Sequence, residues 1–142
     1  MLEALSISLN KAAVLGFVAY ILGAAVLFAL FQFIYTRITP HKEFELIRSG
    51  NVAAAIALGG ALIGFAIPAS NVIAYSISLL DVVVWSLIAA VVQLLAFLVT
   101  SLVLKGTSER IKQGEIAAGV YVAAVAISVG MLNAACMTPT PN

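Results

Sequence analysis

The sequence predicts an all-α integral membrane protein: one membrane domain over residues 1–142, with four transmembrane helices built as two tandem helical-hairpin repeats. Three observations predict it: an excess of apolar residues, the spacing of the few charges, and a self-similarity at a fixed offset. Of the residues, 63% are hydrophobic and 9% charged, and the mean hydropathy is +1.16. Soluble domains carry about a quarter charged residues. A globule this short has no core large enough to hide so much apolar surface from water, whereas a bilayer removes the need to hide it.

The charges mark out the helices in order. Lys11 and Arg37 bracket 25 uncharged residues, Arg48 and Asp81 bracket 32, and Asp81 and Lys105 bracket 23; after Glu115 no charge follows. A spanning helix needs about 20 apolar residues at roughly 1.5 Å each, so each gap holds one span and none holds two. The helices are expected near 12–36 and 52–75 in repeat one (12–75), and near 82–104 and 116–137 in repeat two (82–137). The first could instead be a secretory signal, but Glu3 precedes the earliest cation, Lys11. Its apolar stretch also exceeds the 7–15 residues of a signal core, so it is read as a retained helix.

Loops rich in Lys and Arg stay cytoplasmic. Arg37, Lys42 and Arg48 fall between helices one and two, and Lys105, Arg110 and Lys112 between helices three and four. The remaining connection and the C-terminal tail carry no cation, which places both termini on the periplasmic side. The self-similarity has an offset of 64 residues. Glu45–Ala54 (ELIRSGNVAA) aligns with Glu109–Ala118 (ERIKQGEIAA) without gaps, and five of the ten positions are identical. Leu30/Leu94, Phe33/Phe97 and Thr36/Thr100 extend the register. A two-span repeat keeps its orientation, so the halves are expected to relate by an axis along the membrane normal.

The turns carry signals of their own. Thr39-Pro40 reads as a helix start with Pro in the first position, giving a short amphipathic turn over 41–48 that places Phe44 and Ile47 at the interface. Gly50 and Gly114 let the chain turn into the following spans. Within a bilayer, small residues mark the faces where helices meet. Helix two carries Ala53, Ala57, Gly60 and Gly64; helix four carries one stripe at Ala117, Tyr121, Ala124 and Ser128 and a second at Gly119, Ala123, Ala126 and Gly130. Two faces on one helix argue for a homo-oligomer, the alternative being that the bundle uses both itself. Pro68 should free the carbonyl of Gly64 and kink helix two, opening a small space in the outer leaflet, the alternative being that it lies near the helix end, where it means little.

Few polar residues interrupt the spans. Asp81, at the outer mouth of helix three, reads as an N-cap or as an ion site, and Lys11 is its possible partner. Gln93 lies mid-span, where an amide must find a partner. It serves either as interhelical glue or, with Ser86 and Thr100, as the lining of a path. Asn71 and Asn133, near the outer helix ends, complete with Asp81 a candidate polar site. Tyr75 and Trp85 read as interfacial anchors. His41, Glu43 and Glu45 read as a solvated face. Met131, Cys136 and Met137 are soft donors that would suit Cu(I), but their spacing matches no established site, so neither metal nor cofactor is assigned. A net charge of +1 gives no basis for nucleic-acid binding. No phosphate-binding loop, HExxH, GxSxG or intramembrane carboxylate pair is present, so no enzyme is expected.

The run Tyr35-Thr-Arg-Ile-Thr-Pro-His-Lys-Glu-Phe44 followed by Ile47–Gly60 resembles the YjfL family of bacterial inner-membrane proteins. So do Ser78-Leu-Leu-Asp81 with Trp85, Val92–Leu95, Ser108–Ile111 and Leu132–Thr138. The resemblance implies paired two-helix repeats in a bacterial inner membrane and no known activity. Relatives encoded near PspA-like envelope-stress proteins imply a membrane-stress role. Two functions follow. The first is a non-catalytic homo-oligomer, in contact with the lipid bilayer, whose basic turns engage a cytoplasmic peripheral membrane-stress protein. The second is a small ion channel or ion-coupled transporter.

Overall fold

The computed structural model describes residues 10–137, so the chain termini lie outside the described residues. Four long helices, α1 (Lys11–Ile38), α3 (Val52–Tyr75), α4 (Leu79–Val103) and α6 (Ile116–Cys136), alternate with two short ones, α2 (Glu43–Arg48) and α5 (Thr107–Lys112). Each long helix is long and apolar enough to cross a membrane.

Local chemistry sets the boundaries. Asn10 caps α1 by accepting the Ala13 N–H, and Asn51 caps α3 by accepting the Ala54 N–H. At the other end of α1, Thr39 is extended, with φ −65° and ψ 132°, because Pro40 disfavours the helical region for the residue before it. The second helix therefore begins at Glu43 rather than at Pro40, and Lys42 caps it only by position. At the connection from α3, Ser78 caps α4, its hydroxyl accepting from the Asp81 N–H at 3.3 Å. Asp81 is thus the third residue of α4 and not its cap, which lies three residues before it at Ser78.

Both short helices end the same way. Gly50 and Gly114 adopt φ of +86° and +79°, a conformation that glycine enters without steric cost. Their N–H groups donate to Ile47 and Ile111, and the next N–H groups, of Asn51 and Glu115, donate to Leu46 and Arg110. Every one of these partners recurs 64 residues on.

The centre of the bundle is the contact between α3 and α6. Gly119 lies against Ala53, Gly60 against Ala123, Gly64 against Ala126, and Gly130 against Gly64. Both numbers rise together, so the two helices run parallel. A Cβ added to Gly130 would sit 2.1 Å from the Gly64 oxygen, and one added to Gly60 would sit 2.3 Å from the Ala123 Cβ. Backbones this close exclude side chains, which lets dispersion and weak Cα–H···O contacts act along the whole crossing. Pro68, buried inside α3, cannot donate to the Gly64 carbonyl. That carbonyl instead faces the Gly130 backbone.

Around this seam α4 buries Ser86, Ala89, Gln93, Phe97 and Thr100. From α1 only Phe31 and Tyr35 are buried. Phe31 stacks on Phe65 with ring centroids 4.3 Å apart, and Tyr35 meets the Phe97 ring edge-on at 5.4 Å. The rest of α1 is largely exposed and apolar, with Leu15, Phe17, Leu22 and Val26 all open. An apolar recess of about 290 Å³ lies between α1 and the Phe65–Ile73 part of α3 that holds Pro68. Tyr75 and Trp85 are exposed near the α3–α4 connection.

Candidate functional site

The outer polar residues do not gather into one site. Asp81 borders a cleft of about 300 Å³ with Val72, Tyr75, Trp85, Cys136 and Met137, and neither asparagine lines it. Asn71 donates from Nδ2 to the Ala134 carbonyl at 2.8 Å, tying α3 to α6. The Asn133 Nδ2 is buried without a hydrogen-bond partner. Nor does Lys11 pair with Asp81. The ion pairs among the described residues are Lys42–Glu45, Glu109–Lys112 and Arg110–Glu115. Among those residues, no three His, Cys, Asp or Glu side chains stand close enough to hold a metal ion.

Gln93 is 1% exposed. Its Nε2 donates to the Ala126 carbonyl of α6 at 3.0 Å, while its Oε1 has no partner. Ser86, seven residues outward on the same face, also has a buried hydroxyl without a partner. Thr100, seven residues inward, donates to the Ala96 carbonyl of its own helix. Beside Gln93 and Thr100 lies a void of about 10 Å³, bordered also by Tyr35 and Val122. It is at the lower limit of what one water needs.

The densest polar cluster lies where the sequence reading placed a solvated face. His41 and Glu43 are 3% and 2% exposed, and Thr39 and Thr107 are buried beside them. The His41 Nδ1 is 3.0 Å from the Ser108 hydroxyl of the second short-helix turn, and its Nε2 is 3.6 Å from Glu43 Oε1. That second distance is too long for a direct hydrogen bond. The other Glu43 oxygen has no partner. Glu45 alone behaves as expected, exposed and paired with Lys42 at 2.9 Å.

Burial decides the electrostatics here. Desolvation pushes the Glu43 carboxyl up to about 7, with the nearby Thr39 hydroxyl and its own backbone N–H opposing the rise. Desolvation, with help from the Lys112 charge, pulls His41 below its usual value. Near neutral pH the imidazole is therefore uncharged and Glu43 sits close to its midpoint. On the open flank, Arg110 grips Glu115 with two hydrogen bonds, one of them at 2.6 Å, which holds the Glu115 carboxyl below the ordinary range.

The same turns are joined into one face. The Asn51 Nδ2 donates to the Ile111 and Lys112 carbonyls at 2.8 and 3.3 Å, bridging the two hairpins. Arg48, Lys105 and Lys112 are exposed on it, with Lys42 and Phe44 alongside. Two recesses open between the turns. One of about 440 Å³ is bordered by His41, Lys42, Glu45, Ser49 and Lys112, and one of about 350 Å³ by Ser49, Asn51, Lys112 and Gln113.

A family model described as Domain of Unknown Function (DUF350) matches residues 8–137. The chain belongs to this family. It is similar to the UPF0719 inner membrane protein YjfL of Escherichia coli, 40% identical over 124 residues in each of two strains, covering 87% of this chain and 94% of the relative. It is also similar to the UPF0719 transmembrane protein YshE of Bacillus subtilis, 31% identical over 81 residues, or 57% of this chain and 60% of that one. No solved structure matches. With four apolar spans and relatives of this kind, the chain is a multi-pass inner-membrane protein of the DUF350 family.

The buried His41–Glu43 cluster escaped the sequence reading because its cover comes from Ser108, 67 residues away. The local signal was the unusual order Thr-Pro-His-Lys-Glu, in which a proline turns the following residues back under the helix.

Proposed function

We propose that this DUF350 chain is a non-catalytic, homo-oligomeric component of the inner membrane whose two basic turns form one cytoplasmic docking face for a peripheral membrane-stress protein. Both termini then lie in the periplasm. The observation that carries the reading is the joining of the turns. Asn51 and His41 of the first hairpin bond to Ile111, Lys112 and Ser108 of the second. Cations from both hairpins therefore stand around shared recesses, and Phe44, 46% exposed, adds an apolar contact. Clustered basic and apolar groups at a cytoplasmic interface suit an acidic protein surface held against anionic lipid. The envelope-stress assignment rests on the resemblance to the YjfL family. The homo-oligomer is supported by the second small-residue stripe of α6, since Ala117, Tyr121, Ala124 and Ser128 are all exposed on the single chain.

The test is charge reversal at Arg48 and Lys112 together. The doubly reversed protein should insert normally, lose its co-purifying peripheral partner and fail to complement a deletion strain. A variant that keeps every partner and complements fully would sink the reading.

A second reading, an ion channel or ion-coupled transporter, is favoured by one observation. Ser86, Gln93 and Thr100 form a buried polar row down α4, and the buried Glu43 carboxyl lies toward its cytoplasmic end. The void beside that row, about 10 Å³, does not make a pore, so conduction would require the helices to part.

A further inference from the structure

The 64-residue self-similarity and the pattern of burial together carry an inference about how copies of the chain meet. Six residues of α4 are buried: Val82, Ser86, Ala89, Gln93, Phe97 and Thr100. Their counterparts on α1 are Val18, Leu22, Ala25, Ala29, Phe33 and Thr36. Four of the six pairs are identical residues. Yet on α1 five of these positions are exposed and Thr36 is half-buried. The converse also holds. Phe31 and Tyr35 are the buried residues of α1, and their counterparts on α4, Leu95 and Val99, are 54% and 58% exposed.

The parallel pair repeats the pattern. The α3 face of Ala53, Gly60 and Gly64 is packed against the α6 face of Gly119, Ala123, Ala126 and Gly130. Carried forward 64 residues, the α3 face becomes Ala117, Ala124 and Ser128, all exposed. Carried back, the α6 face becomes Ala55, Gly59, Leu62 and Ala66. Ala55 is exposed, and a Cβ added to Gly59 would meet nothing within 4 Å.

Two similar units therefore touch through different faces. A contact between like faces would bury the same positions in both hairpins, as happens at Ala54/Ala118 and Leu58/Val122. Elsewhere each hairpin buries what the other leaves open. Such a head-to-tail contact leaves one outgoing and one incoming face free at the ends of the pair. Addition of further copies then closes a ring, or runs on if the rotation does not close.

We infer that the chain assembles head to tail in the membrane plane. The α4–α6 face of one copy (Leu95, Val99, Ala117, Ala124) seats on the α1–α3 face of the next (Val18, Phe33, Ala55, Gly59). The contact between copies repeats the contact between the two hairpins of a single chain. Small residues at Ala55, Gly59, Ala117 and Ala124 let those backbones approach closely, which is the source of association energy between helices in lipid. This inference rests on the homo-oligomer proposed above and specifies its geometry.

Cysteine pairs test it, in a Cys136→Ser background in native membranes. Within the chain, Gly60 meets Ala123; the equivalent positions between copies are Ala124 and Gly59. A chain carrying both Gly59→Cys and Ala124→Cys should form, on oxidation, a ladder of dimers, trimers and higher species. Each single variant should stay monomeric on denaturing gels, and the two singles co-expressed should give dimers and nothing larger. Ala55→Cys with Ala117→Cys should behave likewise, which guards against one badly inserted variant. Dimers from a single-cysteine chain would show a like-to-like contact and overturn the arrangement. Absence of cross-links from both pairs would overturn it as well. The mass of the unsubstituted protein, measured intact from native lipid, separates the two claims. An oligomer without these cross-links refutes the head-to-tail arrangement alone, and a monomer refutes the homo-oligomer with it.

Discussion

Replacing Glu43 with glutamine should remove a pH dependence of stability that burial has built into the short-helix end of the bundle. The carboxyl is 1% exposed, and its value rises from 4.5 to about 7 on folding. Between those values the folded protein binds the proton more tightly than the unfolded chain. The contribution is therefore fully present below pH 4.5, is lost as pH rises toward 7, and is constant above. Each unit is worth about 1.4 kcal/mol, so the loss between pH 5 and pH 8 amounts to about 2–3 kcal/mol. His41, lowered by the same burial, acts in the opposite sense: its contribution is present above its ordinary value and lost as pH falls. The comparison must therefore be wild type against Glu43→Gln, which leaves His41 in place. The assay is denaturant-induced unfolding in mixed micelles at pH 5 and pH 8. Wild type should lose roughly 2–3 kcal/mol more than the variant over that interval. Equal pH dependence in the two proteins would refute the claim that Glu43 is buried against the interface.

Three further predictions concern packing, bridging and orientation. Gly130→Ala places a methyl 2.1 Å from the Gly64 oxygen and should cost about 1–3 kcal/mol or more in unfolding measurements, whereas Gly16→Ala, with nothing within 4 Å of the added methyl, should cost nothing. Asn51→Ala removes both the α3 cap and the bond to the Ile111 carbonyl and should destabilise by about 2 kcal/mol; an unchanged unfolding midpoint would show that the bridge is not formed. In right-side-out vesicles and a Cys136→Ser background, a membrane-impermeant thiol reagent should label Ser76→Cys and leave Lys42→Cys and Lys105→Cys untouched until the vesicles are opened. The reverse pattern would invert the proposed topology.

Different parts of this structure were legible in the sequence to different degrees, for physical reasons. Charges are costly in hydrocarbon, so Lys11, Arg37, Arg48, Asp81, Lys105 and Glu115 bound the spans almost by themselves. Glycine is the residue that lets two helix backbones meet, so Gly60 and Gly64 announced a contact face on α3. On α6 two stripes competed, and nothing local said that Gly119 and Gly130 would take the intramolecular contact while Ala117 and Ala124 stayed open. Asp81 reads as a cap or an ion site, yet Ser78, three residues earlier, takes the cap. A serine followed at that spacing by an acid is a capping signature in its own right. The polar residues depended on distant partners. Asn71 and Asn133 were placed at the correct end but are drawn to separate surroundings by the α3–α6 crossing. His41 and Glu43 read as solvated because their own neighbours are charged, and only the approach of the second turn buries them.

The most direct test of the central claim, that this protein docks partners rather than conducts solutes, is flux of protons, Na⁺, K⁺ and Cl⁻ into liposomes containing the purified chain. The docking account predicts flux no greater than in empty liposomes, for wild type and for Asp81→Asn and Gln93→Leu alike. Flux above that level that falls in Gln93→Leu would contradict it, and would make the buried row of Ser86, Gln93 and Thr100 a path.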